Sequence, residues 1–238
     1  MRLTVRCLCL AALLAPAASA AQVEEHWYKW TGRQGDTGCF HVLRKQTANA
    51  SAPILLVHEF EARVDGKRLS LTLTTACRAD RYLTPVRIIS EAGRGPERSR
   101  VFATIVWKKT RTGAVGRLCT TVQGEEKTMV LPQGTVMMFA LFEVVRALPF
   151  EKGAELKFHS LDATGLKLMR DHVVRYAGPE TLRIGDREVK THRFQHTGPQ
   201  VQPAQYWVTE RRRLIRVLID GAKEYLLTTR AIARATLD

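Results

Sequence analysis

Thirteen consecutive residues, Val136 to Leu148 (VMMFALFEVVRAL), are apolar at every position except Glu143 and Arg146. A segment without a solvent face has to be buried on all sides, yet the chain on either side of it reads as short strands separated by turns. A sheet must therefore curl around it. Gly134-Thr135 ahead of the segment and Pro149 behind it supply a start and a stop, and its Ala, Leu, Met and Glu residues favour helix. The expectation is one buried helix over 136–148, about 20 Å long at 1.5 Å per residue.

Alternation of apolar and polar residues predicts strands at 26–31, 37–46, 54–64, 67–77, 84–91, 100–109, 117–122, 127–131, 155–161, 166–176, 180–184, 188–196, 205–210, 214–219 and 224–229. Strand follows strand without helical crossovers, which predicts an antiparallel sheet. One hairpin carries its own register. Asp65-Gly66 is a two-residue turn signal that sets Val64 opposite Lys67. Phe60 then faces Leu71, His58 faces Leu73 and Ile54 faces Cys77, so the apolar side chains share one face while Glu59, Glu61 and Arg63 share the other. The predicted architecture is mainly β: a strongly curved antiparallel sheet, an incomplete barrel, with the apolar helix against its concave face.

Residues 1–20 have the order of a secretory signal peptide: Arg2 and Arg6, an apolar run from Cys7 to Leu14, then Ala18-Ser19-Ala20. The rest, 21–238, is expected to form a single β-rich domain, periplasmic or secreted and not an integral membrane protein. The formal charge is +14, from 37 basic and 23 acidic residues. Arginine and lysine gather at Arg211, Arg212 and Arg213 and at Lys108, Lys109 and Arg111, a basic patch suited to anionic envelope polymers. Modules that read nucleic acid are missing, so no nucleic-acid partner is expected.

Residues that could carry chemistry are few. Of the cysteines beyond the leader, Cys77 with Cys119 is the preferred candidate disulfide, with buried free thiols as the alternative. His192 and His196 share a strand face but stand about 13 Å apart, too far to hold one ion, so neither metal nor cofactor is expected. Trp27, Tyr28 and Trp30 cluster near the mature N-terminus, where they can seal the sheet onto its core. Glu143 and Arg146, three residues apart in the apolar segment, can pair along one helix edge or orient a ligand headgroup.

Leu131-Pro132-Gln133-Gly134, the apolar segment, Leu148-Pro149-Phe150 with Gly153, Ile184-Gly185-Asp186-Arg187-Glu188-Val189 and Tyr206-Trp207-Val208 followed by Leu214-Ile215-Arg216-Val217 together resemble the exported bacterial DUF3108-like proteins. Their fold is similar to that of the LolA and LppX lipoprotein carriers. The resemblance implies an incomplete barrel whose apolar cavity takes a lipid or other hydrophobic small molecule. The candidate cavity residues are Phe60, Leu71, Leu73, His58, Met138, Phe142, Glu143 and Arg146. The leading expectation is thus a non-enzymatic binding protein of the cell envelope. A structural or interaction module docking anionic polymers through basic turns is the alternative, and a hydrolase with an unrecognised site ranks third.

Overall fold

The computed structural model describes residues 21–237 apart from 48, 50, 95, 96, 123 and 124; the expected signal peptide lies outside the described residues. Two meanders form a single fifteen-stranded sheet. The first comprises β1 (Gln22–Thr31), β2 (Thr37–Gln46), β3 (Ile54–Val64), β4 (Lys67–Cys77), β5 (Pro85–Arg94), β6 (Glu97–Thr110), β7 (Gly113–Val122) and β8 (Glu125–Pro132). The second comprises β9 (Thr135–Met137), β10 (Glu155–Asp162), β11 (Lys167–Ile184), β12 (Arg187–Thr197), β13 (Ala204–Val208), β14 (Leu214–Ile219) and β15 (Lys223–Thr228). They join through β1 and β15, which leaves β8 and β9 as the two edges.

That order forces the sheet to roll up. Laid flat, fourteen gaps of about 4.8 Å would put β8 and β9 some 67 Å apart. Only Gln133 and Gly134 connect them, and three Cα steps reach about 11 Å. The edges must meet, so the sheet is nearly closed into a barrel.

The hairpin register derived from Asp65-Gly66 holds over the whole of β3, from Val64 opposite Lys67 to Ile54 opposite Cys77. Asp65 and Gly66 take φ values of 50° and 71°, the left-handed pair that a tight hairpin turn of this twist requires. The expected strands at 166–176 and 180–184 are in fact one, β11. Its register shifts between Tyr176 and Gly178, and Gly178, at φ 121°, absorbs the bulge without ending the strand.

The apolar segment departs most from expectation. Thr135, Val136 and Met137 pair in parallel with His159, Ser160 and Leu161, a short 3-10 turn follows at Met138–Ala140, and only Leu141–Arg146 is α-helix, α1. The edge of β10 offers unpaired backbone groups that capture the first residues as strand. At about 1.5 Å per residue, α1 is roughly 9 Å long. It runs back toward the end of the barrel where the segment entered.

Phe142 on α1 is the hub of the interior. Its ring lies 4.9 Å from Phe40, 5.4 Å from Tyr225 and 5.6 Å from Tyr28, centroid to centroid. A second helix, α2 (Arg230–Arg234), packs on the outside of β1 and β2. There Ala233 covers Trp27 and Cys39, and Trp27 stacks on His41 at 4.1 Å. Of the N-terminal aromatics, Tyr28 and Trp30 enter the main core and Trp27 does not.

Candidate ligand cup and the anchor of the internal plug

The plug formed by β9, the 3-10 turn and α1 closes one end of the barrel, the end carrying Gln46, Pro132 and Leu214. Its anchor is ionic. Arg146 donates to Glu143 Oε1 at 2.7 Å, to Glu24 Oε2 at 2.8 Å and to the Arg212 carbonyl oxygen at 2.6 Å. Arg44 lies 3.5 Å from the other Glu143 oxygen. Arg212 completes the clamp: its guanidinium donates to the carbonyls of Arg146 and Leu148 and lies 3.7 Å from the ring centroid of Phe150. The free carbonyls at the end of α1 thus find a cationic donor, as a helix C-terminus requires.

Burial opposes the charge on Glu24, but the hydrogen bond and charge of Arg146, with the charge of Arg44, outweigh it and hold the carboxyl below its ordinary range. Burial likewise works against the Arg146 cation, and Glu143 and Glu24 more than offset it. These groups support one another's charges.

At the opposite end, where the turns after β10, β12 and β14 gather, the barrel stays open. Beneath the plug is a cup of about 330 Å³. Met138, Phe139, Leu141, Phe142, Met169 and Ile219 make its apolar surface, and His196, Tyr206, Tyr225 and Lys223 bring polar atoms. Tyr206 and Tyr225 are 4% and 8% exposed, and burial raises both phenols above their ordinary pKa. Neither hydroxyl has a hydrogen-bond partner among the described residues, so two neutral donors stand at the cup without one. His196 Nε2 lies 3.0 Å from His172 Nδ1. Burial and the neighbouring His172 lower the His196 pKa to about 4, so the imidazole is neutral at pH 7. Lys223 donates to Gln202 at 3.4 Å at the rim.

Two further cavities flank the mouth. One of about 400 Å³ spans the seam, between the inner face of β6 to β8 and the turn at Thr164, Gly165 and Leu166. The other, about 390 Å³, lies over Phe60, Leu69, Leu71 and Ala92.

The candidate cavity residues are thereby distributed over four places. Met138 and Phe142 line the cup, and Phe60 and Leu71 line the cavity beside it. Leu73 and His58, each 1% exposed, lie in the packed core. Glu143 and Arg146 belong to the anchor at the closed end. The basic residues divide too: Lys108, Lys109 and Arg111 are exposed at the β6–β7 turn, whereas Arg212 is turned onto the plug. The Cys77–Cys119 disulfide does not form. Both thiols are free, Cys77 buried in the core and Cys119 exposed, with β5 and β6 between their strands. Sequence reasoning did not reach Glu24, Arg44, Tyr206 and Tyr225 as site residues, because each acquires its role from a strand distant in the chain. Among the described residues, no group of three or more His, Cys, Asp or Glu side chains is placed to hold a metal ion.

The fold and the site together define a class: barrel-like β proteins with the interior partly filled by their own chain. No family model and no curated protein matches this sequence. Among solved structures it is similar to the β-barrel-like protein of domain of unknown function DUF1849 from Brucella abortus. The two share 14% identity with a TM-score of 0.59, over 86% of this chain and 95% of the other. This likeness is one of fold.

Proposed function

We propose that this protein is an exported, non-enzymatic binder of one small hydrophobic or amphiphilic envelope component, held in the cup beneath the plug. The observation that carries this reading is the pair of buried phenols, Tyr206 and Tyr225, unpartnered at the edge of an apolar surface. Both hydroxyls reach the solvent of the cup, so a carbonyl, ester or carboxylate of a ligand takes the place of water on them while its hydrocarbon meets Phe139, Leu141 and Phe142. Lys223 at the rim suits an anionic head. A cup of about 330 Å³ is at the lower limit of ligand sites, which run from about 300 to 1,000 Å³. It suits a single chain or ring system rather than the several acyl chains of a lipoprotein anchor, so the LolA-like resemblance extends to the class of ligand and not to its size.

The test is binding of a fluorescent fatty-acid analogue by the purified protein. Binding should saturate at one site and be lost in Ile219→Trp, which fills the cup from its rim. Tyr206→Phe and Tyr225→Phe should weaken it by about fivefold each, the value of roughly one hydrogen bond. Unchanged binding in Ile219→Trp would sink the assignment.

A further inference from the structure

Four of the six large hydrophobic side chains that stand exposed among the described residues lie on one stretch of outer wall. They are Phe102 and Val106 on β6, Val115 on β7 and Val130 on β8, between 38% and 64% exposed. Singly exposed apolar residues need no explanation, but a contiguous group does. The registers gather Val106, Val115 and Val130, with Phe102 four residues away on the same face of β6. Phe102 is opposite Ile89, Val106 and Val130 flank Arg117 from either side, and Val115 lies between Lys108 and Pro132. Cations occupy the intervening positions. Arg87, Lys108 and Arg117 are all exposed on this face, and none forms an ion pair with a carboxylate among the described residues. Arg100 on the same wall is paired with Glu91 at 3.0 Å.

A checkerboard of apolar and cationic side chains on a rigid sheet face selects its partner. A second copy of this chain meeting it symmetrically would set the same three cations against themselves. Among the described residues, the single exposed carboxylate beside them, Glu126, does not balance that repulsive contact, since Glu91 is already paired with Arg100. A soluble anionic polymer would use the cations and leave Phe102, Val106 and Val130 in water. An anionic bilayer uses both, because apolar side chains enter the boundary below the headgroups while lysine and arginine meet lipid phosphates. We infer that the outer wall of β5 to β8 docks this protein on an anionic lipid surface. The docking is independent of what the cup holds.

The test is flotation with vesicles of phosphatidylglycerol and phosphatidylcholine against vesicles of phosphatidylcholine alone. The protein should float with the anionic vesicles only, and less as salt rises. Combining Arg87→Glu, Lys108→Glu and Arg117→Glu should reduce partitioning by roughly fivefold or more for each cation reversed. The apolar set Phe102→Ser, Val106→Ser and Val130→Ser should also reduce it. As a control, Arg183→Glu, Arg187→Glu and Lys190→Glu, exposed residues of β11 and β12, change the net charge equally and should leave binding intact apart from the general charge effect. All these positions are exposed, and circular dichroism is the check that each variant folds. In a Cys7→Ser, Cys9→Ser background, a polarity-sensitive dye on Cys119, exposed in the middle of this wall, should shift to the blue on the anionic vesicles. Three results overturn the inference: no flotation of the wild type, equal loss in the control set, or no effect of the apolar set, the last assigning the cations to a soluble polyanion.

Discussion

Replacing Arg146 by Met keeps most of the side-chain volume and removes the centre of the plug's anchor. Arg146 gives three hydrogen bonds, to Glu143, Glu24 and the Arg212 carbonyl, and the Glu143 side chain that depends on it is 1% exposed. Breaking a buried ion pair from one side leaves a charge without compensation and costs about 3–5 kcal/mol. For a domain of this size each kcal/mol lowers Tm by about 2–4 °C. The expected loss is therefore about 6–20 °C by calorimetry, with a matching fall in the urea midpoint. Arg146→Lys should lose part of this, since an ammonium cannot reach three acceptors in the geometry of a guanidinium. The double variant Glu143→Leu, Arg146→Met removes both charges of the buried pair and should recover part of the loss. Acid supplies a second readout. The folded Glu24 carboxyl is held below its ordinary pKa of 4.5, so its contribution is present above that value and fades as pH falls through the folded pKa. Arg146→Met should flatten the stability curve in that acid window. A loss below about 1 kcal/mol, with the acid limb unchanged, would refute the anchor and make the segment a lid.

His58 is enclosed in the core, both ring nitrogens lack a partner, and burial pulls its pKa to about 3. His58→Leu should therefore gain about 1–2 kcal/mol at pH 7 in a denaturant titration; a loss of more than 1 kcal/mol would contradict the burial argument. The unfolded imidazole takes up a proton near pH 6.5 while the folded one resists it down to about 3, so this group makes wild-type stability rise with pH across that window, and the Leu variant should lose that part of the slope. Thiol titration of the native protein beyond residue 20 should label Cys119 alone. Cys77 is buried, with its pKa raised by burial and then by Asp80, and should react only on unfolding, without any reducing step; a requirement for reductant would restore the disulfide.

Local chemistry made the hairpins legible. Asp65-Gly66 takes the left-handed conformation at both positions, so the turn and the alternation of β3 and β4 fixed a register that the tertiary structure keeps throughout. The break that Ala177-Gly178-Pro179 predicts does not occur, because a glycine at positive φ can carry a bulge within a strand. The helix predicted over 136–148 is shortened for the opposite reason. Its composition favours helix, but the open edge of β10 outcompetes helix for Val136 and Met137. α2 is not legible in the sequence because five residues are too few to show a periodicity, and it rests on Trp27 and Cys39 beneath it.

By itself the sequence determined that a buried apolar segment needed a curved, mainly antiparallel sheet around it, since apolar patterning and turn residues act over a few neighbours. Only the tertiary structure decided what that segment does. Glu143 and Arg146 could have faced a ligand. They are instead enclosed with Glu24 and Arg44, residues about a hundred positions away, at the closed end. The free hydroxyls of Tyr206 and Tyr225 stand at the open end. Which polar groups are satisfied and which are left to meet a ligand depends on strands brought together by the rolling of the sheet, and that juxtaposition is not encoded in any local stretch of the chain.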